Sequence, residues 1–197
     1  MGFMKQTGLA AALAGGLALA LAILAPPVTA QGIFDEDIFD SDLIKAIRAN
    51  DDDTLRAAII GGENVNDRAG SGDPAIVVAA ESRNLNAIQM LVEAGARIDN
   101  ENRRTSVTAL TLAAEIGDNT IVRALIDFGA DVDDTGSGSE SALIKAARNG
   151  HFLVVQLLID SEADLEVTDL SGATAVEIAE QNRHYQVAQI LRDAGAY

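Results

Sequence analysis

The sequence predicts an all-α solenoid of about five helix-turn-helix repeats joined by hairpin-like finger loops. Three observations carry this reading. First, one pattern of residues returns with a period near 33. With Thr108 as the anchor, its equivalents are Ser41, Pro74, Ser141 and Thr174, at steps of 33, 34, 33 and 33. Second, each unit holds two short apolar stripes at helical spacing. Third, each stripe is too short to hold a helix alone in water, so every unit must bury its face against a neighbour like itself.

The clearest copy is residues 108–134, TALTLAAEIGDNTIVRALIDFGADVDD. Leu110, Ala113 and Ala114 line one face of a helix from about Ala109 to Ile116, which Gly117 ends. Ile121, Val122, Leu125 and Ile126 line a second helix from about Asn119 to Phe128. Gly129 supplies the left-handed stop. The small pair recurs as Ala79-Ala80, Ala146-Ala147 and, half lost, Ala179-Glu180. The second-helix core recurs as Met90-Leu91-Val92, Leu157-Leu158-Ile159 and Ile190-Leu191. The stop recurs as Gly62, Gly95 and Gly195, with Glu162 in its place in the fourth copy. A residue with a Cβ there is expected to take a positive φ despite its cost.

Before the repeats, residues 1–30 read as an export signal. Lys5 is their only charge, Leu9 to Ala25 is apolar, Pro26-Pro27 break the helix, and Val28-Thr29-Ala30 has the small-x-small pattern of a signal peptidase site. No stable membrane insertion is expected after cleavage. Residues 31–40, QGIFDEDIFD, form an acidic segment in which Ile38 and Phe39 are expected to cover the first repeat. The repeat domain then runs over 41–197, as about 41–67, 68–101, 102–134, 135–167 and 168–197. In the first repeat Leu43, Ile44, Ile47, Leu55 and Ile59 are expected to face inward, and Lys45, Arg48, Asp51, Asp52, Asp53 and Arg56 to face water, as a terminal repeat requires. Glu180 and Arg192 stand at positions that are apolar in the body, as suits a C-terminal cap.

Composition narrows the function. The chain carries 14 basic and 30 acidic residues, a net charge of −16, and loss of Lys5 with the leader makes it −17. Such a chain repels nucleic acid and anionic lipid and favours a basic partner. Hydrophobic residues make up 48%, and their periodicity separates the chain from disordered acidic sequences. There is no cysteine, hence no disulfide and no thiol chemistry. Arg outnumbers Lys and Ala is abundant, as in GC-rich bacteria. Export then leads to the periplasm or out of the cell.

The repeats resemble ankyrin repeats, whose motif reads T-P-L-H-x-A-A, then G-H, then V-x-L-L-L-x-x-G-A-D-V-N. Here it stands as TALTLAA with GADVD, SALIKAARNGH with LLID, and MLVEAGARID, over about residues 38–197. The motif's Pro is replaced by Ala75, Ala109, Ala142 and Ala175, and its His by Val77, Thr111, Ile144 and Glu177, so the bridges that this His makes in the family are expected to be missing. The resemblance implies an exported bacterial protein-binding module, acting as a monomer through a concave face. Carried over position by position, the face comprises Glu81, Glu115, Ile116, Arg148, Asn149 and Gln181, with finger tips near Arg103, Asp134 and Leu170. Ile116 and Leu170 are the apolar anchors among them. The resemblance also admits a periplasmic helper of a redox or haem enzyme such as catalase.

Sites of chemistry are not found. His151 and His184 occupy one repeat position as the G-H element, and without them no Ser/His/Asp set can be assembled. Asp131-Val-Asp133-Asp134-Thr135-Gly136 begins like a calcium loop, with Asp164 and Glu166 repeating the acidic finger. The twelfth position, where a bidentate Glu is needed, is Ala142. A calcium-responsive envelope protein therefore remains the alternative from another class. Gly136-Ser-Gly138 has no preceding strand and lacks the third glycine of a phosphate loop. No cofactor, metal or catalytic residue is expected. The leader generates one prediction: the intact mass of protein from its native host should begin at Gln31 or its cyclised form, and recovery of full-length chain in membranes would refute cleavage.

Overall fold

The structure, a computed structural model, describes residues 40–137 and 140–196. The export leader and the Ile38-Phe39 contact expected of the acidic segment lie outside the described residues. Among those described are five helix pairs: α1 (Asp42–Ala49) and α2 (Asp52–Ile60), α3 (Ala75–Glu81) and α4 (Leu85–Glu93), α5 (Ala109–Ile116) and α6 (Asn119–Asp127), α7 (Ala142–Asn149) and α8 (Phe152–Asp160), α9 (Ala175–Gln181) and α10 (Tyr185–Asp193). None of these helices is long and apolar enough to cross a membrane.

Each first helix begins at the anchor position of the repeat. Ser41, Thr108, Ser141 and Thr174 each accept a hydrogen bond at the side-chain oxygen from the backbone N–H three residues on, which satisfies one of the donors a helix start leaves open. Pro74 takes the same place with its fixed φ and no side-chain cap. Thr111 and Glu177, which stand where the motif has His, turn back to close capping boxes inside their own repeats.

The first helices stack on one another in closer contact than the second helices do. Small side chains permit this: Ala79, Ala80, Ala113, Ala114, Ala146 and Ala147 are all essentially fully buried. The outer layer is held by larger groups, with Leu55, Leu91, Leu125, Leu158 and Leu191 at 0% exposure. The array therefore has a tight layer of first helices and a wider layer of second helices. One continuous apolar core runs through all five repeats.

Two hydrogen-bond ladders tie repeat to repeat. On the outer loops, Asn66 Oδ1 accepts from Arg97 N (2.8 Å), Asp99 Oδ1 from Asp131 N (3.2 Å) and Asp133 Oδ1 from Asp164 N (2.8 Å). At the turn between the helices of a pair, His151 Nε2–H donates to the Glu115 carbonyl (2.9 Å) and His184 Nε2–H to that of Arg148 (3.1 Å). The G-H histidines therefore make bridges between repeats.

Each histidine demands a particular neighbour. Gly117 and Gly150 have φ of +82° and +76°, and a Cβ on them would lie 2.4 Å from the His151 ring and 2.5 Å from the His184 ring. Where the following repeat has no histidine, the same left-handed position holds Asn50 and Arg83, both at φ +52°. Glycine is present in this turn wherever the next repeat's ring needs the space.

The first repeat departs from the sequence expectation. Asp40, assigned to the acidic segment, is 4% exposed and belongs to the array. Its Oδ1 accepts from Gly70 N (2.8 Å) in the first finger, and its Oδ2 lies 3.0 Å from Arg48 Nη1. Arg48, expected in water, is half-buried because this carboxylate draws it in. Ile59 is only partly buried. Asp51 caps α2, and Asp52 accepts from Asn86 Nδ2 (2.8 Å) in the next repeat. At the other end, Glu180 and Arg192 are both exposed and pair with each other.

Two stability predictions follow from this packing. Leu125→Ala should cost about 2–5 kcal/mol in urea unfolding, since the cavity opens between three repeats. Glu162 holds φ +63° in the place glycine fills elsewhere. Glu162→Gly should raise stability by roughly 0.5–1 kcal/mol, net of the chain entropy that glycine adds. An unchanged or lower midpoint would show that the left-handed glutamate carries no strain.

Candidate functional site

The ends of the first helices form a row along the inner side of the array, one repeat apart. Glu81 and Gln181 are exposed there. Asn149 is exposed too, and its Nδ2 donates to the Lys145 carbonyl (3.0 Å). Ile116, the final residue of α5, is half-buried, so part of its apolar surface is already packed. Leu170, at the tip of the last finger, is 86% exposed and is the freer of the two apolar candidates.

Two charged members of the row, Glu115 and Arg148, are engaged in ion pairs. Lys145 Nζ lies 2.7 Å from Glu115 Oε2 and 3.9 Å from Glu140 Oε2. Arg148 Nη2 pairs with Glu140 Oε1 and, at 3.1 Å, with Asp169 Oδ2. Glu115, Lys145, Glu140, Arg148 and Asp169 thus form one chain of ion pairs across three repeats. Burial pulls the Arg148 pKa down, but the hydrogen bonds and charges of Asp169 and Glu140 outweigh it and raise it overall. A partner that meets Glu115 or Arg148 must exchange existing ion pairs for new ones. Sequence reasoning placed Glu115 and Arg148 on this face but missed Lys145, Glu140 and Asp169. One signal was available: an acid just before the first helix and an Arg eight residues on recur as Asp40/Arg48 and Glu140/Arg148.

The fingers are pre-ordered by their own hydrogen bonds. Asp169 accepts from Ser171 Oγ (2.6 Å), Ser171 N (2.9 Å) and Ala173 N (3.1 Å), which fixes the turn that carries Leu170. Asp134 Oδ1 accepts from Gly136 N (2.7 Å). Arg103 is exposed at the third repeat's finger. The acidic run that begins like a calcium loop is spent in the same way. Asp131 accepts from Asp133 N (3.1 Å) and Asp164 from Glu166 N (2.9 Å), while Asp133 bridges to the next repeat. Among the described residues no group of three or more His, Asp or Glu is placed to hold a metal ion.

The hydroxyl of Ser171, then the Ala173 N–H, the Ser171 N–H and Arg148, hold the Asp169 carboxyl down from its ordinary 3.8 to about 2. A depressed folded value means that the stabilisation is present above the unfolded value and is lost as pH falls through the folded one. Asp169→Asn should therefore melt lower than the natural domain at pH 6, with the gap closing between about pH 4 and pH 2. A gap independent of pH would show that charge plays no part in holding this finger.

The comparisons agree with this geometry. The family model described as ankyrin repeats (three copies) matches residues 43–136 and 110–197, which together span the whole array. No curated protein matches the chain. Five helix pairs in one register, N-capped first helices and bridging G-H histidines are accounted for by a single conclusion: the chain belongs to the ankyrin-repeat family.

Proposed function

We propose that this ankyrin-repeat domain is an exported adaptor that holds another protein against its fingers and first-helix surface, in the periplasm or outside the cell. Ankyrin repeats are protein-interaction modules, and the fold is ordinarily a scaffold without catalysis. The observation that carries the reading is the order already present in the face: capped helix starts, hydrogen-bonded fingers and ion-paired side chains. A surface fixed before contact loses little side-chain and loop freedom on binding, which is where much association free energy is otherwise spent. The leader supports the exported location. The net charge of −17 supports a partner of net positive charge, whose encounter salt would slow.

Affinity within such a face concentrates in a few desolvated anchors. Leu170 is the best placed, being apolar, exposed and held on a rigid turn. Mature protein should retain a specific partner from envelope extract, identified by mass spectrometry. Leu170→Asp should weaken that complex at least tenfold, about 1.4 kcal/mol, with an unchanged melt. Substitution of Gln89 and Gln156, on the second helices, should leave binding alone. Loss of binding from those two changes with none from Leu170→Asp would place the interface on the opposite side.

A further inference from the structure

Basic side chains are scarce in this chain, and most of those near the first helices are consumed internally. Lys45, Arg48, Arg83, Lys145, Arg148 and Arg192 each pair with a carboxylate. The fingers of the second and third repeats are different. Arg68, Arg97, Arg103 and Arg104 gather there, and among the described residues none of the four is in an ion pair.

Arg68, Arg97 and Arg103 line a polar depression of about 420 Å³. Arg68 is held rigidly by neutral acceptors only: Nη1 donates to the carbonyls of Gly72 (2.9 Å) and Glu101 (2.8 Å), and Nη2 to Asn100 Oδ1 (2.8 Å). Its donors are thus satisfied without an ion pair. Burial first, then the nearby Arg103 charge, lower its pKa, and with Arg97 they outweigh the opposing pull of Glu101 and Asp73. Arg104 donates to the Ser71 carbonyl, again a neutral acceptor.

Carboxylates line the depression too, and hydrogen bonds fix each of them in place. Glu101 accepts from both the N–H and the hydroxyl of Ser137, and these bonds, the hydroxyl first, hold its pKa down. Asp99 accepts from Asp131 N and Asp134 from Gly136 N. They build the walls while Arg97 and Arg103 remain exposed, with guanidinium groups that make no ion pair. Planar guanidinium forks suit the two oxygens of a carboxylate.

We infer that the depression between the second and third fingers is a docking site for the carboxylates of a short acidic segment on the partner protein. The inference rests on the adaptor reading and names the chemistry of one contact within it. A partner of net positive charge still fits: overall charge governs approach, and the segment that meets these fingers governs seating.

The test uses two ten-residue peptides, one with a central Asp-Glu-Asp balanced to zero net charge by flanking lysines, the other with Asn-Gln-Asn at the centre. Fluorescence titration of the mature protein should give at least tenfold tighter binding of the carboxylate peptide. Arg97→Gln/Arg103→Gln should abolish that preference with an unchanged melt, and Arg123→Gln, on α6, should preserve it. Equal binding of the two peptides, or a preference that survives the double substitution, overturns the proposal. So does saturation by inorganic phosphate without any preference between the peptides. Envelope capture separates the two levels of the argument. A partner retained equally by natural and doubly substituted protein sinks the acidic contact and leaves the adaptor standing. Failure to retain any partner removes the adaptor, while the peptide titration still decides the site.

Discussion

Everything in this fold depends on the burial that one repeat provides for the next. A helix of seven to nine residues is unstable in water, and two such helices cover only part of each other's apolar surface. The remainder is covered by the neighbouring pair. The alanine pairs of the first helices set how near that neighbour can come, and the leucines of the second helices set how far apart the outer layer stands. The closer spacing of the first helices derives from this difference in side-chain size. The terminal repeats show the same constraint from the other side. Asp40 folds over the first repeat and takes Arg48 with it, and Glu180 with Arg192 gives the last repeat a charged exterior.

Polar groups are then fitted to a frame that apolar packing has set. Asn66, Asp99 and Asp133 stitch consecutive outer loops, and His151 and His184 stitch consecutive turns. The chain of ion pairs from Glu115 to Asp169 spans three repeats on the inner side. These contacts are partly exposed, and each exposed ion pair is a small contribution to stability. Their larger effect is to hold the fingers and the inner face in one arrangement.

The frame was legible in the sequence because it is periodic. Thr108 and its equivalents proved to be the first-helix caps, the helix bounds in the third repeat were readable to within a residue, and Glu162 adopted the left-handed turn its register demanded. The positions of Glu81, Glu115, Arg148 and Gln181 on the inner row could be read for the same reason. Their partners could not. Glu115 meets Lys145 across 30 residues, and Arg148 meets Asp169 across 21, so these pairs depend on the stacking distance between repeats. Arg48 was placed in water because its partner, Asp40, had been assigned to a separate segment. Arg68 was passed over because its significance lies in three neutral acceptors and two neighbouring cations brought together by folding.

The fit between Gly117 and the His151 ring, and between Gly150 and the His184 ring, has an implication for how such an array changes over generations. A histidine-bearing repeat fits only behind one that ends its first helix in glycine. The second repeat, with Arg83 at that position, is followed by Asp118 and could not be followed by His151 without a collision. The repeats are therefore keyed pieces with a reading order, and not interchangeable bricks. Duplication of the fourth repeat in place preserves the match, since Gly150 would then face a second copy of His151. Shuffling the second repeat ahead of the fourth or fifth breaks it. Each of the first four repeats can thus be copied in place, whereas a copied fifth repeat would set Arg183 against a second His184 ring.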